Sequence, residues 1–499
     1  MRSVVVAIVA GLAVAATAQG ATLKVGPNEA FTDIAAAAAA AVAGDTIQIQ
    51  KGTYILPATV NFTQPNLTIT GKGVIVDGAT PGGNDNNVDC FNITGAGTTV
   101  QGITFRNGDN QIQASGGTLT ITKCTFLDSD GTAVLVTAGN TLTIAGCTFT
   151  GGQQAAVNAT ASNATIQKCK IRSMGNDGIL ITGDGAVVES NTLNFIDDNT
   201  GISVTGDSAT VRKNKLYAIG GTGINAVDDN GAVEASFQDV EGNTVTLVDN
   251  ATGINVTHTL GVNSTVLVQK NKIQDVGGGI NVDCDHADVI GNKVTDGHAG
   301  TGVTVSSDDM TVTGNTVTLG ADDFEAFILD SSSGTGGGLV EKNKAKDVMD
   351  AGFYLGDNNG FYNVTVKGCS AMNCGTEDEW GFYIIGDSNT FEKLTVTNVN
   401  NTGIELNNGD SNTFTACKVT GALGDGFRMN AGTGNVFVKC SAAKCGAEGF
   451  DNRGTLTDLQ GGKYQGARFD ITNTGTFVDM TLDGVGFSTG GSAQASEVD

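Results

Sequence analysis

Proline is nearly missing from this chain. There are four in 499 residues, at Pro27, Pro57, Pro65 and Pro81, and none from Gly82 onward. Proline in a central strand deletes a ladder hydrogen bond, so its absence fits continuous sheet. Positive charge is scarce too. The 27 lysines and arginines face 52 acids, leaving a net charge of −25. That balance disfavours a nucleic-acid partner and an anionic membrane surface. It also weighs against a polyanionic substrate, unless a cation or a local basic patch mediates. Histidine (3) and tryptophan (1) are rare, and ten cysteines in this length are not a disulfide scaffold. Long apolar runs are absent apart from residues 4–16, which fall short of the ~20 residues a membrane span needs. With Arg2 before it and Ala16-Thr17-Ala18 after it, this run reads as an export signal over residues 1–18. The expectation is a secreted, periplasmic or cell-surface protein without membrane insertion.

What is present in excess is glycine, with 72 residues, and a phrase that keeps returning. TLTITKCTF at Thr118 recurs as TLTIAGCTF, NATIQKCKI, SATVRKNKL and MTVTGNTV. Aligning the phrases puts Cys124, Cys147, Cys169, Asn191, Asn214, Asn243, Asn271, Asn292, Asn315 and Asn343 in one column. A fixed period of roughly 20–30 residues marks a stacked repeat array. Within each phrase apolar residues alternate, turn, and alternate again. A third strand follows as Gly-Ile-x-Val or Gly-Phe-Tyr-x. Three short strands per coil predict an all-β parallel β-helix of about 17 coils, right-handed by the crossover rule and roughly 80 Å long. The alanine-rich stretch after Asp33 predicts a short capping helix ended by Gly44. We therefore expect one β-helix domain over 19–487, with its cap at 19–44, and a disordered tail at 488–499.

The helix followed by GDTIQIQKGTY, together with the N-T and N-K repeats, resembles the secreted right-handed parallel β-helix, or pectate-lyase-like, superfamily. The resemblance covers roughly residues 22–487. It implies the fold and, across the superfamily, polysaccharide chemistry. The signatures of particular enzymes are absent. R-x-P-x-x-R cannot occur, no N-T-D or G-H-G is present, and the nearest approach to D-P-H-D is Asp283-Cys284-Asp285-His286. No catalytic residues carry over.

Candidate chemistry then rests on register. The Cys/Asn column faces inward and reads as structural, its amides hydrogen-bonding along the stack. Cys369/Cys374 and Cys440/Cys445 are spaced for local disulfides. The residue after each buried Ile or Phe faces outward. That column runs through Ser203, Asn225, Asn255, Asn281, Thr304 and Ile328 to Tyr354, Tyr383, Glu405, Arg428 and Asp451. Tyr354 and Tyr383 offer flat faces to sugar rings, and Trp380 stands on a nearby loop. Glu405 and Asp451 would lie roughly 9.6 Å apart, near the spacing of inverting glycosidases. In a hydrolase or lyase these two would share acid and base roles, with Arg428 orienting the substrate. Asp283, Asp285 and Asp288, with Asp330 beyond, form a candidate Ca²⁺ site of hard oxygen ligands. The functional expectation is carbohydrate recognition or processing on the flank. The alternative is a non-catalytic structural or adhesive envelope rod, with the Glu–Arg–Asp column an exposed salt ladder between strands.

Overall fold

The computed structural model describes residues 20–469 except 80–87, 139–140, 198, 229–236, 248–250, 259–264, 322–323, 332–336, 357–359, 376–378, 456–457 and 466. It also describes 477–483 and 495–496. The expected signal, and the tail apart from Ala495–Ser496, lie outside these residues. Thr22–Val25 opens the fold and pairs in parallel with Thr46–Ile49. Between them lies the helix Ile34–Ala40, where the Asp33 carboxylate accepts the Ala36 N–H at 2.7 Å. Its buried Ile34, Ala37 and Ala38 form one apolar stripe packed on the first strands.

Two details differ from expectation. A strand precedes the helix, and the helix stops at Ala40 rather than at Gly44. The buried Asp45 carboxylate explains the early stop. It accepts the N–H of Val42 at 2.9 Å and of Ala21 at 2.7 Å, drawing the chain out of the helix into the first coil.

About 17 parallel coils follow, as the period predicts. Among the described residues one sheet of 35 strands supplies two faces of the solenoid, and a second sheet supplies the third, here called the flank. In the larger sheet each coil bends at the residue before the Cys/Asn column. Lys123, Lys168, Lys213, Lys270 and Lys342 all have φ between 53° and 56° there. A left-handed lysine costs roughly 1–2 kcal/mol, and the ladder that follows offsets it. Asn271 shows how. Its Nδ2 donates to Val240 O at 2.8 Å and to Asn292 Oδ1 at 3.0 Å. Its Oδ1 accepts from the backbone N–H and Nδ2 of Asn243 at 2.9 and 3.0 Å. Asn191 through Asn315 repeat this pattern, so the buried column is structural as expected. At its ends the place is taken by thiols. The ten cysteines are free and buried, so Cys369/Cys374 and Cys440/Cys445 form no disulfides. A second asparagine ladder, Asn389–Asn412–Asn435, sits at another corner, with backbone N–H to Oδ1 distances of 2.9 Å.

The interior is filled by stacked like residues. Phe327, Phe353 and Phe382 stack with ring centroids 4.6 and 4.4 Å apart. Along these runs register is held by side chains as well as by backbone, and the outward column stays paired residue by residue from Ser203 to Asp451.

Candidate functional site

The flank strands Phe353–Leu355, Phe382–Ile385, Ile404–Asn408, Phe427–Met429 and Phe450–Asn452 pair in sequence. The register aligns Tyr354, Tyr383, Glu405, Arg428 and Asp451 as one column. Each coil enters its strand through a glycine whose missing side chain is a requirement of packing. A Cβ at Gly381 would meet Gly403 O and Val396 Cγ1, both at 2.6 Å. That close corner sets Trp380, just before it, against the column.

The aromatic part of the site forms a continuous half-exposed surface. Tyr354 and Tyr383 have ring centroids 4.8 Å apart, and Trp380 lies 4.5 Å from Tyr383 at an angle of 46°. Burial raises the Tyr383 phenol above its ordinary pKa, and the Glu405 charge pushes it further up. Trp380 Nε1 donates to Glu405 Oε2 at 2.7 Å. The other Glu405 oxygen accepts from Asn430 Nδ2 at 2.7 Å, and Asn430 also donates to Asn407 Oδ1 at 3.1 Å.

The acidic part departs from expectation. Glu405, Arg428 and Asp451 are in register, but they are not an exposed ladder. The Glu405 and Asp451 side chains are only 5% and 2% exposed. Trp380, Asn430 and Arg428 cover the first. Arg453 closes the second, donating Nη2 to Asp451 Oδ2 at 2.8 Å. Arg428 Nη1 reaches Glu405 Oε2 at 3.4 Å, while Nε and Nη2 both bond Asp425 Oδ2 at 2.8 Å. Burial raises the Asp425 carboxyl above the ordinary range. Arg428 opposes that rise and the Glu448 carboxyl adds to it.

Sequence reasoning missed Asn407, Asn430, Asp425, Glu448 and Arg453. A usable signal existed for three of them, because Asn407, Asn430 and Arg453 lie two residues beyond Glu405, Arg428 and Asp451 on the same outward face. Asp425 and Glu448 occupy the bend before the glycine, where period-two alternation no longer applies.

Asp283, Asp285 and Asp288 do not converge. Among the described residues no three acidic, histidine or cysteine side chains are placed to hold a metal ion. The corner at Asp285 puts Asp283 at the end of a flank strand and Asp288 on a strand of the larger sheet. Among the described residues no helix is long and apolar enough to cross a membrane.

A family model described as a right-handed beta helix region matches residues 89–245, 252–377 and 380–486. No curated protein sequence matches. Several solved structures are similar in fold at low identity. A PL6 family polysaccharide lyase from Pseudopedobacter saltans is 15% identical with a TM-score of 0.33, over 70% of this chain and 84% of the lyase. The catalytic unit of a GH87 alpha-1,3-glucanase from Streptomyces thermodiastaticus is 13% identical with a TM-score of 0.29, over 93% and 67%. A pectate lyase is 13% identical with a TM-score of 0.22, over 77% and 76%.

Proposed function

This chain belongs to the right-handed β-helix family, a scaffold that does not fix an activity, and on that premise we propose that it binds carbohydrate on its flank. One observation carries the reading. Trp380, Tyr383 and Tyr354 form a single half-exposed aromatic surface, and the indole at its edge is anchored by a buried carboxylate. Aromatic rings held this way stack on the apolar faces of pyranoses, and Asn407 and Asn430 beside them hydrogen-bond hydroxyls. In this reading Glu405 is a positioning residue. Its oxygens are taken up by Trp380, Asn430 and Arg428, so it holds the platform rather than meeting a glycosidic bond. The leader-like residues 1–18 support a setting outside the cytoplasm.

The rival reading is a passive envelope or adhesive rod, favoured by the sealed pairs Glu405–Arg428 and Asp451–Arg453 acting only as locks between coils. A glycan array probed with the mature protein and with Tyr383→Ala separates the two. Binding to at least one glycan class that Tyr383→Ala abolishes is the expected result. An array with no binding, or binding that Tyr383→Ala leaves intact, rejects the site.

A further inference from the structure

The flank column continues beyond the aromatic platform toward the N-terminus. Four coils before Tyr383 it reaches Asn281, and beyond that Asn255 and Asn225. These three amides are chained. Asn281 Nδ2 donates to Asn255 Oδ1 and Asn255 Nδ2 to Asn225 Oδ1, each at 2.8 Å. The chain ends on the Asn281 carbonyl oxygen, which no donor reaches among the described residues. Beside it the flank has a groove of about 350 Å³, floored by Gly277, Gly278 and Gly279 and walled by Thr252, Thr301 and Thr304. Gly278 occupies the position that Trp380 fills four coils later, by the register of the intervening strands. The same strip therefore carries a projecting aromatic at one point and a notch with an open hydrogen-bond acceptor at another.

The charge along the strip is equally specific. From Asn225 to Tyr383 the outward column reads Asn, Asn, Asn, Thr, Ile, Tyr, Tyr, without a lysine or arginine. The first cation it meets is Arg428, already held by Asp425 and Glu405. A uronate polymer would find no counter-charge on this stretch, and the protein's net charge of −25 would repel it.

We propose that the notch at Gly277–Gly279 and Asn281 is a second sugar subsite, continuous with the aromatic platform, and that the ligand is a linear uncharged polysaccharide lying along the rod axis. The proposal rests on the platform binding carbohydrate. The two subsites are four coils apart, ~19 Å, which roughly four sugar residues of an extended chain would bridge. Ligands of about six residues or more engage both subsites; di- and trisaccharides engage the platform alone. The gain is an avidity within one ligand, lost when either end is blocked.

Titrating the sole tryptophan's fluorescence with neutral β-glucan and mannan oligosaccharides of two to ten residues, and with uronate oligomers of the same lengths, tests this. Gly278→Leu fills the notch with a side chain that neither stacks on sugars nor fluoresces. A Cβ at Gly278 meets nothing nearer than 3.5 Å, and the residue lies in a regular strand, so the backbone need not move. The expected result is affinity that rises with length to about six residues for neutral oligomers. Gly278→Leu should remove that rise, weakening octasaccharide binding about tenfold while leaving trisaccharide binding unchanged. Asn281→Ala, which keeps the notch open, should weaken the octasaccharide by a smaller factor. Length-independent affinity, or an octasaccharide indifferent to Gly278→Leu, overturns the second subsite while leaving the platform standing. Preference for uronates overturns the neutral ligand. Absence of binding at every length rejects the platform reading, and this one with it.

Discussion

Replacing Glu405 by leucine should move Trp380 before it does anything else. The carboxylate accepts hydrogen bonds from Trp380 Nε1 at 2.7 Å, Asn430 Nδ2 at 2.7 Å and Arg428 Nη1 at 3.4 Å. Leucine fills a similar volume and accepts none of them. All three donors lie on half-exposed side chains and can turn to water. The stability cost is therefore about 1–2 kcal/mol, below the ~3–5 kcal/mol of breaking a fully buried ion pair. The indole, freed from its anchor, must be ordered again when a sugar stacks on it. Ordering one large side chain costs ~0.5–1.5 kcal/mol, so affinity should fall three- to tenfold. Glutamine is the discriminating control. Its carbonyl can still accept from Trp380, and its amide then faces Asn430. That residue must flip and give up its bond to Asn407, recorded at 3.1 Å. Glu405→Gln should therefore bind nearly as well as the parent, within about threefold, with a modest loss of stability. Because Trp380 is the only tryptophan in the chain, its emission reports the site directly. A red shift with weaker oligosaccharide binding is expected in Glu405→Leu, and neither in Glu405→Gln. If the leucine variant matches the parent in emission and affinity, Glu405 does not position Trp380. If the parent turns over a glycan and both variants are equally inactive, the carboxylate is chemical and the positioning argument fails.

Three further outcomes follow from the interior. Asn271→Ala leaves Val240 O, Asn243 N–H and two ladder amides short of partners in a buried column. At ~1–3 kcal/mol for each unsatisfied buried group, a local loss of about 4 kcal/mol is expected, visible as exchange of the Asn243 amide roughly a thousandfold faster; a change below tenfold would contradict it. The cysteines should resist alkylation at pH 8 in the native protein and react on unfolding. Burial pushes the thiols of Cys284 and Cys374 up to about 12 and that of Cys369 up to about 11; rapid native labelling of any of these would refute their placement. Acidification from pH 7 toward the ordinary carboxylate range should raise the melting temperature. Burial raises Asp109, Asp177, Asp239, Asp283 and Asp425 above their unfolded values. The folded chain thus holds protons the unfolded chain has released, and stability grows as pH falls through the folded values toward ~3.9. A melting temperature that stays flat or falls all the way to ~pH 4 would reject that sign, and Asp425→Asn should diminish the rise.

The architecture was legible because each coil repeats the same small set of physical requirements. The residue preceding the ladder must tolerate a left-handed backbone, the ladder residue must satisfy amides above and below, and the next apolar residue must stack on its own kind. Those requirements fix register to the residue, which is why the outward column from Ser203 to Asp451 could be written down from spacing alone. Burial of that column could not. Glu405 and Asp451 alternate outward as expected, yet they are sealed by Asn430 and Arg453, which follow Arg428 and Asp451 by two residues on the same face, and by Trp380 from the preceding bend. Alternation gives the direction of a side chain and not what lies over it. The helix end failed for a related reason, since Asp45, outside the helix, decides where it stops. Asp283, Asp285 and Asp288 are close in sequence, but a corner intervenes, and nearness along the chain is not nearness in space.

The asparagine ladder has a consequence for how such a molecule can change. Between Asn191 and Asn343 each coil presents the same amide to one neighbour and receives the same amide from the other, so a coil duplicated or deleted within that run would mate with its neighbours without new complementarity. Length is then a heritable setting, adjustable one segment at a time, much as links are added to a chain. The flank residues ride on that setting as cargo. Copying the coil that carries Thr304 or Ile328 would move the notch and the aromatic platform apart by one step while leaving each unaltered, a graded way to retune reach without touching either grip.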